Sequence, residues 1–264
     1  MVEIIDTIKL IGCFKGYRIL FQLRKVNHMF VLGVIPARGG SKSIPKKNIY
    51  PLLGKPLIYY SIQAAQESAL MNDCIVSTDD LEIKNIAESY GMNVPFLRPK
   101  SLSGDKALAV PTIKHAVLEY EELNSLTVDY VVMLQPTAPL RTSLDIDIAI
   151  EMLTEKKSDS LISVVNVDNY HPYKMKTING DYLQDYVETG LENPPRQSLP
   201  DIYIVNGALY IMRRNVLVEQ DSFKGSSSIP YFMEQEKSAN IDVMSDMIVA
   251  EYYLKKFEDE IDQI

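Results

Sequence analysis

Arg38, Lys42, Lys46 and Lys47 crowd into one stretch, ARGGSKSIPKK (37–47), of a chain that is acidic overall. Like charges at that spacing repel, and the repulsion is relieved when an anion settles among them. The stretch follows the apolar run FVLGVIP (30–36), Gly39 and Gly40 let backbone N–H groups approach a ligand, and Ser41 adds a hydroxyl. Arg38 and Lys47 can supply charge from opposite ends, so the chemistry this loop suits is the cradling of a phosphate chain. A solvated loop has a similar composition; the strand before this one and its flanking cations set it apart. Two common phosphate-binding signatures are missing. The order G-x-x-x-x-G-K-[ST] is absent, Pro45 stands where that motif enters its helix, and G-x-G-x-x-G is absent as well.

Three further stretches carry groups that can do chemistry. STDD (77–80) offers carboxylates after an apolar run, and helix capping is the expectation for Asp79 or Asp80. QPTAPLR (135–141) pins a loop with two prolines and presents the amide of Gln135; by itself it is a rigid turn. ANIDVMSD (239–246) sets Asn240 and Asp242 two residues apart, so in an extended segment both face one way and suit Mg²⁺ as oxygen ligands. The structural alternative makes Asp242 or Ser245 a helix cap. His28, His115 and His171 are scattered, which supports neither a histidine-centred metal site nor a Ser-His-Asp triad.

A chain of 264 residues, 46% hydrophobic and 23% charged, suits one large domain or one domain with a small appendage. The net charge of −8 argues against general nucleic-acid or anionic-membrane binding, which needs a basic surface. Two cysteines, Cys13 and Cys74, give neither a disulfide framework nor metal-ligand spacing, and a reducing, cytoplasmic setting is expected. No uninterrupted apolar run reaches the roughly 18 residues of a membrane span. Residues 1–28 lack a cleavage site of small residues and read as an N-terminal extension, with the folded domain over 29–264.

These groups need elements to position them. Strands are expected at 30–36, 73–79, 128–134 and 160–167, each an apolar run ending in turn residues. Between them, Ile58, Ile62, Ala65 and Ala69 make a stripe at helical spacing, as do Ile83, Ile86, Ala87 and Tyr90, and then Val110, Ile113, Val117 and Tyr120. A helix near 144–156, strands within 202–214 and 229–235 and a last helix from Met244 complete the pattern. Such alternation predicts an α/β, three-layer Rossmann-like domain with a mainly parallel sheet. Ligands bind beyond the carboxyl ends of the strands in such sheets, where the basic loop, STDD and QPTAPLR all fall. Residues 168–200 break the rhythm: they are polar, Tyr-rich and marked by turns at Asn179-Gly180 and Pro194-Pro195.

In order along the chain, ARGGSKSIPKKN, STDD, LRPKSLSGD, QPTAPLR, PRQSLPDIYIVNGALYI and NIDVMSD resemble the CMP-sialic acid synthetases (acylneuraminate cytidylyltransferases). The similarity spans about residues 31–256, and the wider family includes enzymes for legionaminic, pseudaminic and related nine-carbon acids. The resemblance implies transfer of CMP from CTP to the anomeric hydroxyl of a nonulosonic acid, with release of pyrophosphate and Mg²⁺ as cofactor. It implies that Arg38, Lys47, Lys42 and the amides of Gly39, Gly40 and Ser41 grip the triphosphate, and that Asn48, Arg98, Gly104 and Asp105 hold the cytidine. Gln135, Arg196, Asn206, Tyr210 and Phe223 match the sugar-acid pocket. Residues 168–200 match a dimerisation arm whose Lys174 contacts the partner's sugar, so a homodimer is implied. One departure stands out: the usual D-x-D of the metal segment is here Asn240-x-Asp242, with one negative charge in place of two. Two other readings stay open, a non-catalytic nucleotide-binding protein and a sugar-1-phosphate nucleotidyltransferase of the same fold.

Overall fold

Val31 and Ile35 project from one side of the first strand, Leu32 and Val34 from the other, and all four are fully buried. A strand covered on both faces needs a layer on each side, and the alternating chain supplies it. The computed structural model describes residues 29–190, 192 and 194–262; the expected extension, 1–28, lies outside the described residues. The strands are β1 (Val31–Pro36), β2 (Pro51–Leu52), β3 (Lys55–Pro56), β4 (Asp73–Ser77), β5 (Tyr130–Met133), β6 (Ser160–Asn166), β7 (Lys176–Asn179), β8 (Tyr182–Asp185), β9 (Tyr203–Arg213) and β10 (Ser228–Phe232). The α-helices are α1 (Leu57–Glu67), α2 (Leu81–Ser89), α3 (Ala109–Asn124), α4 (Ser143–Glu155), α5 (Arg214–Val218) and α6 (Met244–Asp262).

Six strands form the main sheet in the order β10-β6-β9-β5-β1-β4. Strand β1 runs parallel to β4 and β5, and β10 parallel to β6, whereas β9 is antiparallel to both its neighbours. The sheet is therefore mainly parallel, as expected, with one reversed strand that an apolar run cannot announce. On one face Ile58 and Ile62 of α1, Ile83 of α2 and Ile146 of α4 pack against Val31, Ile35 and Val132. On the other, Ile113 and Val117 of α3 and Val216 of α5 cover Leu32, Val34 and Val131. Helix starts are fixed by side chains: Asp80 accepts from the N–H groups of Glu82 and Ile83, and Thr142 and Asp145 form a capping box on α4.

A third cluster matters most for the site. Ile44, Leu52 and Leu57 pack with Ile241, Met247 and Ala250, which draws the start of α6 onto the loop after β1. Residues far apart in sequence thereby meet at the carboxyl rim of the sheet.

Residues 168–200 form a separate projection. Strands β7 and β8 pair as a hairpin whose turn holds Gly180 at φ +61°. Its base is tied by His171: Nδ1 accepts from Tyr173 N–H, so Nε2 carries the proton and donates to Pro200 O at 3.1 Å. Tyr170, Ile178, Tyr182, Leu183 and Tyr186 are each more than 60% exposed, an unusual apolar display for so short a segment. Among the described residues no helix is long and apolar enough to cross a membrane.

Candidate active site

The loop after β1 rests on β4 and on the turn that leads from β4 into α2. Gly39 donates its N–H to Asp79 Oδ1 at 3.1 Å, and a Cβ on Gly39 would stand 2.5 Å from Asp80 Oδ2. The glycine is therefore there for close approach to the STDD turn, and its amide goes to Asp79 rather than to a ligand. Asp80 is the cap of α2; Asp79 holds the loop and also faces Arg98 at 3.6 Å. Buried Asn48 donates to Arg38 O at 2.9 Å, which fixes the loop from its other end.

Each crowded cation has a carboxylate. Arg38 Nη1 donates to Gly104 O at 3.1 Å and to Asp105 Oδ1 at 3.3 Å, and Lys42 Nζ meets Asp105 Oδ2 at 2.6 Å. Lys46 pairs with Glu82. Lys47 donates to Ile241 O at 2.9 Å and to Asp242 Oδ1 at 3.1 Å, a contact across 195 residues of sequence. Lys42 first, then Arg38, holds the Asp105 carboxyl below the usual carboxylate range. An incoming polyanion would thus exchange with Asp105 and Asp242 for cations already held in place.

Arg38, Lys42, Lys47, Asn48, Gly104, Asp105 and Asp242 line one cleft of about 700 Å³ together with Ser41, Arg98, Gln135, Thr137 and Asn240, whereas Lys46, Gly39 and Gly40 are not part of its lining. Arg98 is 5% exposed, with Nε on Ser103 Oγ at 3.1 Å; burial pulls its pKa down against the opposing pull of Asp79. Two side-chain amides, Gln135 and Asn240, belong to the same lining. Gly207 has φ +78°, and a Cβ there would stand 2.6 Å from Gln135 Oε1 and 2.8 Å from Asn240 Nδ2, so both amides rest on its backbone. Beneath them lies Arg141, only 2% exposed, donating to Ala208 O at 2.8 Å, Ser61 Oγ at 2.6 Å and Gln135 O at 3.3 Å. Burial lowers its pKa to about 10, well above neutrality, so it stays cationic. Gly207 and Arg141 escaped the sequence reading as site residues. The first had a signal in its Asn-Gly pair and the second in its place at the end of QPTAPLR.

Asn240 and Asp242 both line the cleft, as their spacing suggested, with buried Ile241 between them donating its N–H to Thr137 O at 2.8 Å. Asn240 stands over Gly207, whereas Asp242 pairs with Lys47. The capping alternative for Asp242 is displaced, because Asp246 Oδ2 accepts from the N–H groups of Asp242 and Val243 at 2.8 and 2.9 Å. Among the described residues no three His, Cys, Asp or Glu side chains gather as a metal cage. An Mg²⁺ ion that keeps phosphate and water ligands needs only one or two carboxylates, and exposed Asp242 fits that demand.

Other residues matched to the sugar-acid pocket are not part of this cleft's lining. Asn206 is 4% exposed and committed to Ser163 Oγ at 2.5 Å, Ser238 Oγ at 3.0 Å and Ala208 N–H at 3.2 Å. That network braces β9 at its register shift against β6. Tyr210 and Phe223 pack ring to ring at 5.6 Å against the α3 side of the sheet, and burial raises the Tyr210 pKa. Arg196 pairs with Asp168 at the base of the projection, and Lys174 lies on the turn Pro172–Lys174.

A family model described as cytidylyltransferase matches residues 32–242, the span that builds both walls of the cleft. The chain belongs to the cytidylyltransferase family. The cytidylyltransferase is 34% identical over 226 residues to the pseudaminic acid cytidylyltransferase of Campylobacter jejuni serotype O:23/36, covering 85% of this chain and 96% of that protein. It is 32% identical over 231 residues to the CMP-N,N'-diacetyllegionaminic acid synthase of Legionella pneumophila, covering 84% and 95% respectively. Among solved structures, a CMP:2-keto-3-deoxy-manno-octonic acid synthetase complexed with CTP superposes with a TM-score of 0.64 at 15% identity, over 86% of this chain and 99% of that one. At that identity the likeness speaks for the fold, an α/β nucleotidyltransferase domain.

Proposed function

We propose that this cytidylyltransferase transfers CMP from CTP to the anomeric hydroxyl of a nonulosonic sugar acid. The hydroxyl oxygen attacks the α-phosphorus and gives up its proton to solvent, the bond from the α-phosphorus to the oxygen it shares with the β-phosphate breaks, and pyrophosphate leaves with the bonding electrons. The observation that carries this reading is the cleft itself, whose lining joins the cations Arg38, Lys42 and Lys47 with the amides of Gln135 and Asn240. Pre-positioned cations stabilise charge that grows on the leaving group, which is where phosphoryl and nucleotidyl transfer gains most of its rate. Asn48, Arg98, Gly104 and Asp105, also in the cleft, are the residues assigned to the cytidine. Asp242 is the residue that would hold Mg²⁺, which when bound neutralises charge on the triphosphate. The two relatives act on different nonulosonic acids, so the acceptor is proposed as a class.

The working unit is proposed to be a homodimer. Lys174 and Arg196 lie outside the protomer's own cleft, on a projection whose apolar side chains face solvent. Both facts are accounted for when the projection reaches a second copy. The test is pyrophosphate release from CTP with a panel of nonulosonic acids and sugar 1-phosphates. Release with a sugar acid is expected. Release with a sugar 1-phosphate alone would replace this reading with that of a sugar-phosphate nucleotidyltransferase, and CTP binding without release would make the chain a nucleotide-binding protein.

A further inference from the structure

Helix α6 is apolar on the side that faces the protein and again on the side that faces away. Met247, Ala250 and Leu254 pack inward with Ile44, Leu52 and Leu57. Over the same turns Met244, Ile248 and Tyr252 recur at a spacing of four, which sets them on one outer stripe; Val243 precedes it and Val249 lies beside it. Ile248 is 69% exposed and Tyr252 64%, and the other three are close to half exposed. A surface helix ordinarily turns polar groups to solvent on that side, and one that is apolar all round is covered. Exposed leucines elsewhere stand singly, Leu81 at the start of α2 and Leu108 and Leu123 at the two ends of α3, and need no such cover.

The same chain carries a second apolar display, the projection with Tyr170, Ile178, Tyr182, Leu183 and Tyr186. A twofold pair needs two complementary surfaces on one chain, because each copy gives one and receives on the other. At roughly 100 Å² for each of these ten side chains, one copy offers about 1,000 Å² of apolar surface, more than the roughly 800 Å² per partner that a stable interface buries. Position agrees with area. Helix α6 begins two residues after Asp242, which lines the cleft. A projection laid along its first turns therefore lies beside the cleft that the partner subunit's Lys174 is proposed to reach. We infer that the outer face of α6 receives the β7–β8 hairpin of a second copy. This rests on the homodimer proposed above and names the surface on which its projection lands.

The tests use the full chain. Light scattering of the wild type comes first: a monomer at micromolar concentration removes the homodimer, and the inference with it. Given a dimer, Ile248→Asp, checked for folding by its thermal midpoint, is expected to weaken association roughly a hundredfold, since a carboxylate would be buried without a partner. Cross-linking reads the contact directly in a Cys13→Ser background, where the native thiol that remains, Cys74, is buried. Leu183→Cys and Ile248→Cys in one chain, treated with a flexible bis-maleimide, are expected to give covalent dimers, and either cysteine alone is not. Links within one chain, links from Leu183→Cys alone, or an undiminished dimer with Ile248→Asp would each overturn the inference and leave the homodimer standing. Faster maleimide labelling of Ile248→Cys once residues 1–28 are removed, with the dimer intact, would give this face to the N-terminal extension instead.

Discussion

At the scale of single residues, charge and capping have been divided between Asp242 and Asp246. Asp246 takes the N–H groups of Asp242 and Val243 at the start of α6, which leaves the exposed Asp242 carboxylate to Lys47 and the cleft. The two substitutions should separate cleanly. Asp246→Ala is expected to cost about 1 kcal/mol of stability, the usual loss of a helix-start acceptor, with the Mg²⁺ dependence of turnover unmoved. Asp242→Asn is expected to unfold at the wild-type midpoint while turnover nearly vanishes, since no formal charge remains at the pair of positions 240 and 242. Mg²⁺ titrations beside thermal melts decide it; a destabilised Asp242→Asn with normal metal dependence would refute the division. Lys47, whose Nζ reaches both Ile241 O and Asp242, is expected on replacement by Ala to lower kcat/KM for CTP by roughly 10²-fold, as removal of one stabilising charge does elsewhere. A near-normal rate would mean that the triphosphate lies away from this lysine.

At the scale of elements, the loop QPTAPLR acts through its last residue. Arg141 spans from Gln135 O to Ala208 O and Ser61 Oγ, so it joins the loop after β5 to β9 and α1 beneath Gln135. Replacing it by Met fills similar volume but strands three polar partners in the interior, and a loss of about 2–4 kcal/mol is expected. Arg141→Lys retains charge but not the fork, and is expected to raise KM for the sugar acid more than KM for CTP, because Gln135 shifts while the cation loop does not. Equal effects on both constants would make Arg141 a general brace. Much of this scaffold could be read in advance. The helices at 57–67, 81–89 and 109–124 follow their apolar stripes, and the strands follow their runs, because burial against a sheet imposes those periods on sequence. The reversal of β9 could not be read: its residues 208–212 are apolar toward both layers, and an apolar run has no direction. The gathering of cations in the loop after β1 was legible from charge, whereas the Gly39 amide on Asp79, Gly207 and Arg141 act through tertiary contacts that no local pattern encodes.

At the scale of the whole molecule, the question is whether one chain completes its own site. The base of the projection is tied by His171 to Pro200, yet its hairpin and the start of β9 expose Ile178, Leu183, Tyr203 and Ile204. Strand β9 pairs with β5 only over 210–213, so residues 203–206 also leave one backbone edge without β5. Apolar side chains beside an open edge are a setting for association. Ile178 and Leu183 are register partners on one face of the hairpin, and Ile178→Asp with Leu183→Asp is expected to give monomers by light scattering. Those monomers should still bind CTP, whose loop lies elsewhere. Sharing of the site between copies has its own test. Lys47→Ala and Lys174→Ala dimers, each expected to be weakly active, are mixed under conditions that exchange subunits. If each cleft uses its own Lys47 and the partner subunit's Lys174, a mixed dimer holds one cleft with both lysines intact and one with neither. Pyrophosphate release should then rise well above that of either parent. If Lys174 served its own chain's cleft, every cleft in the mixture would lack one lysine. Activity would then remain at the average of the parents, and the projection would be a bridge between complete sites.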